Sequence, residues 1–422
     1  MSYFKKIFNR NFFLITPRSH SFGGVFDTFL GIKFALYQKK KIVLAVPFFN
    51  LHPKHKKKKI YGLYLINNIF KKLDIVSKIF SIFLTFLLNI NLILIKLKII
   101  RLLDIVLCLN KKKLFRYFPI YFGFYFADVW FDNYLKSRRS SNLENSTNWH
   151  ELLSISVVDF LPKIKIESKK IIFFVKDINH HNQVAQGSEN SVAEIENYRE
   201  SLNLLIKENY KIQRAGDETV KKFNFFSQLY FDYTNKKSNN LIYQYQSYQN
   251  SEFYFGTGGS SLTISGHFDK PRIISNARIE YLWHPNDYIS KKDIIIFKKV
   301  FCKTNQRILS FQEIFDLDIR YLQNNSNFVL IENSKEEITE LTKIFLLSRS
   351  DKKINHFSMS KEFNELIKNF NKKNYKEQAG VLHLGLFKIY ECNYYNVPNF
   401  FLKKYLYPSE NIKKESLDLK FN

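Results

Sequence analysis

The sequence predicts an α/β protein with doubly wound parallel sheets in two domains. Three observations lead there. Residues 11–47 read as strand, helix and strand. The same rhythm resumes at residue 170 and continues to about residue 347. Within that stretch, Phe253-Tyr-Phe-Gly-Thr-Gly-Gly-Ser-Ser261 reads as a strand, a glycine-rich turn and the start of a helix. Alternating strands and helices are the pattern of a parallel sheet covered by helices. The length, 422 residues, exceeds what one core usually holds. The predicted division is residues 1–160, residues 161–350 and a mainly helical tail over 351–422.

The run Asn11-Phe-Phe-Leu-Ile-Thr16 predicts a buried strand, and residues 17–24 a loop. Over 25–38, Val25, Phe29, Ile32 and Leu36 recur on one helical face. Lys41-Ile-Val-Leu-Ala-Val-Pro47 is the next strand, which completes a βαβ unit. The character then changes. His52-Pro-Lys-His-Lys-Lys-Lys-Lys59 is a basic loop, and residues 60–110 form a lysine-rich helical insertion. Residues 79–95 carry no charge and lie between Lys78 and Lys96; residues 96–109 follow as a basic amphipathic helix. Three readings of 79–95 stand open. A spanning helix needs about 17–25 apolar residues, and Asn89 and Asn91 interrupt this one. Burial in a core is the second. An interfacial helix, apolar on one side and lysine-rich on the other, fits the flanking charge best.

Residues 140–148 are polar and read as a linker. Ile171-Ile-Phe-Phe-Val175 is a strand, and 193–208 a helix with Ile195, Leu202 and Leu205 inward. Tyr210-Lys-Ile-Gln213 is a short strand ending in Arg214-Ala-Gly-Asp217, and 241–250 is a helix. After the glycine turn, Pro271-Arg-Ile-Ile-Ser-Asn276 is the next strand. Ser334-Lys-Glu-Glu337 has the form of a capping box that opens a helix through residue 347.

The formal net charge is +27, which points toward nucleic acid or an anionic membrane surface. Lysine outnumbers arginine, however, and base and phosphate recognition favours the planar arginine fork. Lys, Asn, Ile, Phe and Tyr are abundant together, and all have AT-rich codons, so part of the charge reflects genome composition. Cys108, Cys302 and Cys392 form no CxxC pair, which argues against structural zinc and disulfides and fits a reducing cytosol. The first ten residues lack the apolar core of a signal peptide. The expected location is cytoplasmic, peripheral at the inner face of the membrane.

In open α/β sheets, ligands sit beyond the carboxyl ends of the strands. The polar residues expected there are Lys176 and Asp177, Arg214 and Asp217, Thr257 to Ser261, and Asn276. A turn containing Gly256, Gly258 and Gly259 lets a ligand approach the main chain. A helix starting at Ser260 or Ser261 would turn its N–H groups toward an anion. Together these suit a nucleotide sugar: phosphates on the turn and a cation, hydroxyls on a carboxylate. Taken singly, Asp177 and Asp217 also read as helix caps, and Arg214 as a surface ion pair.

The region from 171 to about 346 resembles a family of bacterial glycosyltransferases of surface-polysaccharide synthesis. The resemblance is carried by Lys176-Asp177, Asn190, Tyr198, Arg214-Ala-Gly-Asp217, Asp232-Tyr233, Phe255-Gly-Thr-Gly-Gly259, Phe268-Asp-Lys-Pro271, Asn276 and Leu309-Ser-Phe-Gln-Glu-Ile314. The glycine turn ahead of Pro271 is also similar, more distantly, to the donor site of heptosyltransferases. The resemblance implies a GT-B fold, two Rossmann-like domains facing across a cleft. It places the acceptor site on the first and the nucleotide-sugar donor on the second. The chain departs from the family at Lys176, where the family has arginine, and over 241–250, where its helix carries an aspartate.

Glycosyl transfer needs a base for the acceptor hydroxyl and a positive field for the departing nucleoside diphosphate. The expected field comes from Lys176, Arg214 and the amides of residues 257–260, without metal or cofactor. The one Asp-x-Asp match, Asp316-Leu-Asp318, lies downstream of the donor crevice. His180-His181 lack acidic neighbours and read as a polar loop. His20, beside Gly23 and Gly24, is the candidate base, with Asp27 next; His20 also reads as a loop histidine capping the helix. The expected partners are a nucleotide sugar, a glycan or lipid-linked acceptor and, through 79–109, a membrane surface. Two other classes stay open: a sugar-binding or scaffold relative without activity, and a basic nucleic-acid-binding protein, for which the sequence holds no recognisable module.

Overall fold

The computed structural model describes residues 11–15, 22–37, 39–46, 63–96, 155, 157–160, 169–179, 192–216, 220–234, 241–282, 289–317, 327–350, 355–378 and 394–408. The chain divides into two compact units. One is Met1–Lys163 with His383–Gly385, the other Ile164–Leu382 with Leu386–Asn422.

In the first unit, β1 (Phe12–Ile15) and β2 (Lys41–Leu44) pair in parallel across α1 (Phe22–Tyr37). This is the βαβ unit expected. Phe29, Ile32 and Ala35 of the helix and Ile42, Val43 and Leu44 of the strand are buried. The helix α2 (Leu63–Lys72) is followed at once by α3 (Ile75–Lys96). Asp74 caps α3, accepting from the Ser77 amide at 3.0 Å and its hydroxyl at 2.9 Å.

The way α3 meets the sheet inverts the usual arrangement. Ser77, Ser81, Thr85 and Asn89 recur every fourth residue and so lie along one face. That polar face, not the apolar one, lies on β2. Leu44 N–H donates to Ser81 Oγ at 2.9 Å, and Val46 N–H to Thr85 Oγ1 at 3.0 Å. Asn89 Nδ2 donates to the Val46 carbonyl at 2.8 Å. On the other side Ala45 N–H bonds the Ile15 carbonyl at 2.9 Å. The helix therefore satisfies the outward main-chain groups that a strand edge would leave open. Among the described residues, no helix is long and apolar enough to cross a membrane.

The second unit is a Rossmann-like α/β domain on a six-stranded parallel sheet. Its strands are β3 (Lys170–Phe174), β4 (Lys211–Arg214), β5 (Tyr230–Asp232), β6 (Phe253–Gly256), β7 (Arg272–Ala277) and β8 (Ile294–Phe297). Their spatial order is β5-β4-β3-β6-β7-β8. The chain starts in the middle, steps outward to β5, returns to β6 beside β3 and steps outward again. The strand order reverses between β3 and β6, and this is the point where such sheets open a crevice. Strands β3, β6, β7 and β8 are buried along their whole length, as a sheet covered on both faces requires.

A 3₁₀ turn at Ile195–Tyr198 leads into α4 (Arg199–Lys207), so the helix expected over 193–208 forms in two pieces. Ile195, Leu202 and Leu205 are buried, as their spacing predicts. The helices α5 (Leu241–Asn250) and α6 (Ser260–His267) pack on each other and on β3 and β6. A second, antiparallel sheet, which the sequence did not reveal, orders β10 (Arg307–Leu309), β9 (Lys299–Cys302) and β11 (Phe328–Ile331).

The Leu-Ser-x-x-Glu-Ile motif opens α7 (Phe311–Asp316) with a capping box between Ser310 and Glu313. The predicted box at Ser334 opens α8 (Lys335–Ser350): Glu337 N–H donates to Ser334 Oγ at 3.2 Å, and Ser334 N–H to Glu337 Oε2 at 3.0 Å. The tail helices α9 (Ser360–Gln378) and α10 (Asn399–Tyr405) belong to this unit. Phe363, Tyr395 and Phe401 cluster with Phe297 of β8 and Phe311 of α7.

Arg272 holds α6 down. Its side chain is buried, and its guanidinium reaches Asp293 through Nε at 2.9 Å and Nη2 at 2.5 Å. Nη1 donates to the Leu262 carbonyl of α6 at 3.1 Å. Gly266 leaves the room, since a Cβ there would lie 2.6 Å from Nη1. Removing one partner of a buried pair strands a charge. Asp293→Ala is expected to cost about 3–5 kcal/mol of stability, read by urea unfolding; a loss within the range of exposed substitutions would refute the assignment.

Candidate functional site

The site is built at the reversal between β3 and β6. Phe174 faces Gly256 in the register of the two strands. Gly256 has φ +145°, and a Cβ there would lie 1.8 Å from the Phe174 carbonyl oxygen. Only glycine admits that approach. One residue on, Thr257 N–H donates to the same carbonyl at 3.0 Å. Lys176 N–H then donates to Thr257 Oγ1 at 3.0 Å. The loops leaving β3 and β6 are thus held together past the end of the sheet. This contact sets Lys176 beside the glycine turn.

The turn ends at Gly259, φ +124° and ψ −169°, a conformation open mainly to glycine. Gly259 caps α6 without a side-chain bond to the first turn. The helix therefore begins on main-chain N–H groups, at the positive end of its dipole. Ser260 lies at the first helical position. Ser261 is buried and hydrogen-bonds the Tyr248 phenol of α5. Tyr254 braces the turn from below, its hydroxyl donating to the Thr257 carbonyl at 2.5 Å.

Two cations come within electrostatic range of each other past the ends of β3 and β7. Lys176 is half-buried, and its ammonium is pushed down to about 8, first by burial and then by the charge of Arg278. Arg278 follows β7 directly and is also half-buried. Two cations held close while partly out of water form a field suited to an anion. Sequence reasoning missed Arg278. Its position just after a strand end is the available signal.

Other residues predicted for the site form its walls. Arg214, 1% exposed, donates from Nη1 to Asp232 at 3.1 Å and from Nη2 to the Lys221 carbonyl at 2.5 Å. Asp177 is buried and accepts the Lys221 amide at 2.6 Å. The Lys221 ammonium pairs with Glu194 at 2.9 Å. Arg214 and Asp177 thus close on the main chain of one residue. Arg214 is in a buried ion pair rather than a surface one, while Asp177 stands immediately before the helical residues 178 and 179.

Asn276 is likewise committed, with φ +50°. It exchanges two bonds with Asn333: its N–H donates to Oδ1 at 2.6 Å, and its Oδ1 accepts the Asn333 N–H at 2.7 Å. Its amide donates to the Tyr198 hydroxyl at 3.0 Å, and Ser275 Oγ donates to the same hydroxyl at 2.8 Å. Burial holds the Tyr198 phenol above its ordinary range, so it serves as an acceptor rather than a base.

Gly216, with φ +139°, bonds Gln244 of α5 through both its N–H and its carbonyl. Asp217, Asn190, His180, His181, Asp318 and His20 lie outside the described residues. Asp27 is a residue of α1. Among the described residues, no group of three or more His, Cys, Asp or Glu is placed to hold a metal. No family model, curated protein or solved structure matches the chain.

Gly256→Ala is expected to separate β3 from β6, because the added methyl meets a backbone oxygen that cannot step aside. The expected readout is loss of the cooperative thermal transition, or a fall of more than about 3 kcal/mol by denaturant melts. A melt unchanged from the parent would overturn this placement of the turn.

Proposed function

We propose that the second unit binds the diphosphate of a nucleotide sugar and that the protein is a glycosyltransferase. The observation that carries this is a glycine turn that opens directly into α6 with the Lys176 main chain bonded to it and the Lys176 charge within the field of Arg278. It lies at the strand-order reversal of a Rossmann-like sheet, the place where such sheets take nucleotides. The two phosphates would lie on the N–H groups of Gly258 and Ser260, at the start of α6, and accept from Lys176.

A departing nucleoside diphosphate gains negative charge as the glycosidic bond breaks, and a preset field of this kind stabilises it. Arg214 supports that field indirectly, by fixing the β4 end. The reading includes a GT-B arrangement with the acceptor on the first unit. It takes His20 as the base for the acceptor hydroxyl and Asp27 as the alternative.

Thermal melts against a panel of nucleotide sugars test the donor. One of them should raise the melting temperature, and Lys176→Ala and Arg278→Ala should each weaken binding about tenfold or more. Binding should also weaken as pH rises through about 8, where Lys176 loses its proton. Lys176→Arg should remove that pH dependence, because a guanidinium stays charged. Salt-dependent binding of oligonucleotides with no response to any nucleotide sugar would reverse the reading in favour of nucleic acid. Donor binding without hydrolysis or transfer would leave a sugar-binding protein.

A further inference from the structure

The face of α3 turned away from β2 carries a row of large apolar residues in water. Ile75 is 75% exposed, Ile79 62%, Ile82 62%, Phe83 51% and Phe86 62%. They recur at three and four residues, so they form one stripe about three turns long. Apolar side chains scattered singly on a surface need no explanation, but a contiguous stripe on one helix does.

We infer that this stripe is a docking face for an anionic phospholipid bilayer, with α3 lying in the plane of the interface. The inference goes beyond the transfer reading and does not rest on it. Three alternatives were available to such a helix, and each meets an obstacle. Spanning the bilayer would ring α3 with lipid, but its other side is hydrogen-bonded along β2 through Ser81, Thr85 and Asn89. Burial within the unit would remove the stripe from water, and its exposure shows that it is not removed.

Pairing with a second copy would bring the same charges together, because a two-fold contact juxtaposes identical surfaces. Those charges are strongly of one sign. Residues 51–113 hold fourteen Lys and Arg and two Asp. Exposed Lys71 and Lys72 close α2 just before α3 begins, and Lys78 lies half-exposed at the border of the stripe. Asp74, the carboxylate at the start of α3, is engaged by Ser77 and by Lys41 at 3.6 Å. Like charges oppose self-association and attract anionic headgroups, at roughly 1 kcal/mol per basic residue near the surface, or about fivefold in affinity. Apolar residues on one face and lysines at its border are what an interfacial helix requires.

The test is flotation of the full chain with phosphatidylcholine vesicles, with and without phosphatidylglycerol. Binding is expected to the anionic vesicles, to weaken steeply as salt is raised, and to be poor on phosphatidylcholine alone. Ile79→Ser, Phe83→Ser and Phe86→Ser should each reduce it about tenfold. These residues face water, so the variants should keep the parent thermal transition. Lys71→Glu with Lys72→Glu should reduce binding by a further route, through charge alone. Absence of binding to either vesicle would overturn the inference, as would binding that survives the serine variants. Sedimentation showing a dimer that the serine variants dissociate, with no vesicle binding, would assign the stripe to a second copy instead.

Discussion

The candidate site depends on one close contact, the approach of the Gly256 Cα to the Phe174 carbonyl oxygen at the point where the sheet reverses its strand order. A side chain at 256 would push β6 away from β3. With glycine there, the same carbonyl also accepts the Thr257 amide, and the Thr257 hydroxyl accepts the Lys176 amide. Three consecutive constraints thus pass from one strand pair into two loops. They fix the direction in which each loop leaves the sheet. The glycine turn and the lysine beside it are therefore properties of the strand register rather than of loops free to choose a shape.

Below that contact, charge is consumed in buried pairs; beyond it, two cations come within range of each other. Arg272 and Asp293 neutralise each other in the interior, Arg214 is met by Asp232, and Lys299 by Glu337 at 3.2 Å. A buried pair is costly to make and costlier to break, so these pairs fix geometry more than they add stability. Lys176 and Arg278 differ in kind. They are half-buried and repel, enough to hold the lysine near 8 rather than in its usual range. A fold that sought stability alone would separate them. An anion beside Lys176 would offset that repulsion, which is the physical content of the proposed donor site.

Much of this could be read from residues alone. Helical spacing revealed α1, and short runs read as strands matched those at 12–15, 41–44, 171, 211, 253 and 272. The glycine turn and the Ser334 cap were legible because each rests on a local rule: backbone angles for one, a four-residue spacing for the other. What sequence could not rank was which polar group at a strand end faces outward. Arg214, Asp177 and Asn276 looked like ligand-facing residues, yet each meets a partner 18 to 57 residues away or closes on Lys221. Those partners are brought in by topology, and no local pattern announces them. Arg278 was overlooked for the same reason, since its neighbour Lys176 comes from a strand two places away in the sheet.

The helix α3 is a different case, where a residue weighed for one reason in the sequence does something else in the structure. Asn89 counted against a spanning helix because an amide in lipid is expensive. In the structure it does more, since it bonds the Val46 carbonyl as the last rung of a ladder begun by Ser81 and Thr85. Hydroxyls and an amide at every fourth position replace the neighbouring strand that β2 would otherwise need. Once the polar face is spent on a strand edge, the apolar residues have no side left but the outer one. The exposed stripe is thus a geometric consequence of how the sheet is closed. The isoleucines and phenylalanines on that outer face, bordered by Lys71, Lys72 and Lys78, are what the proposed interfacial docking would use.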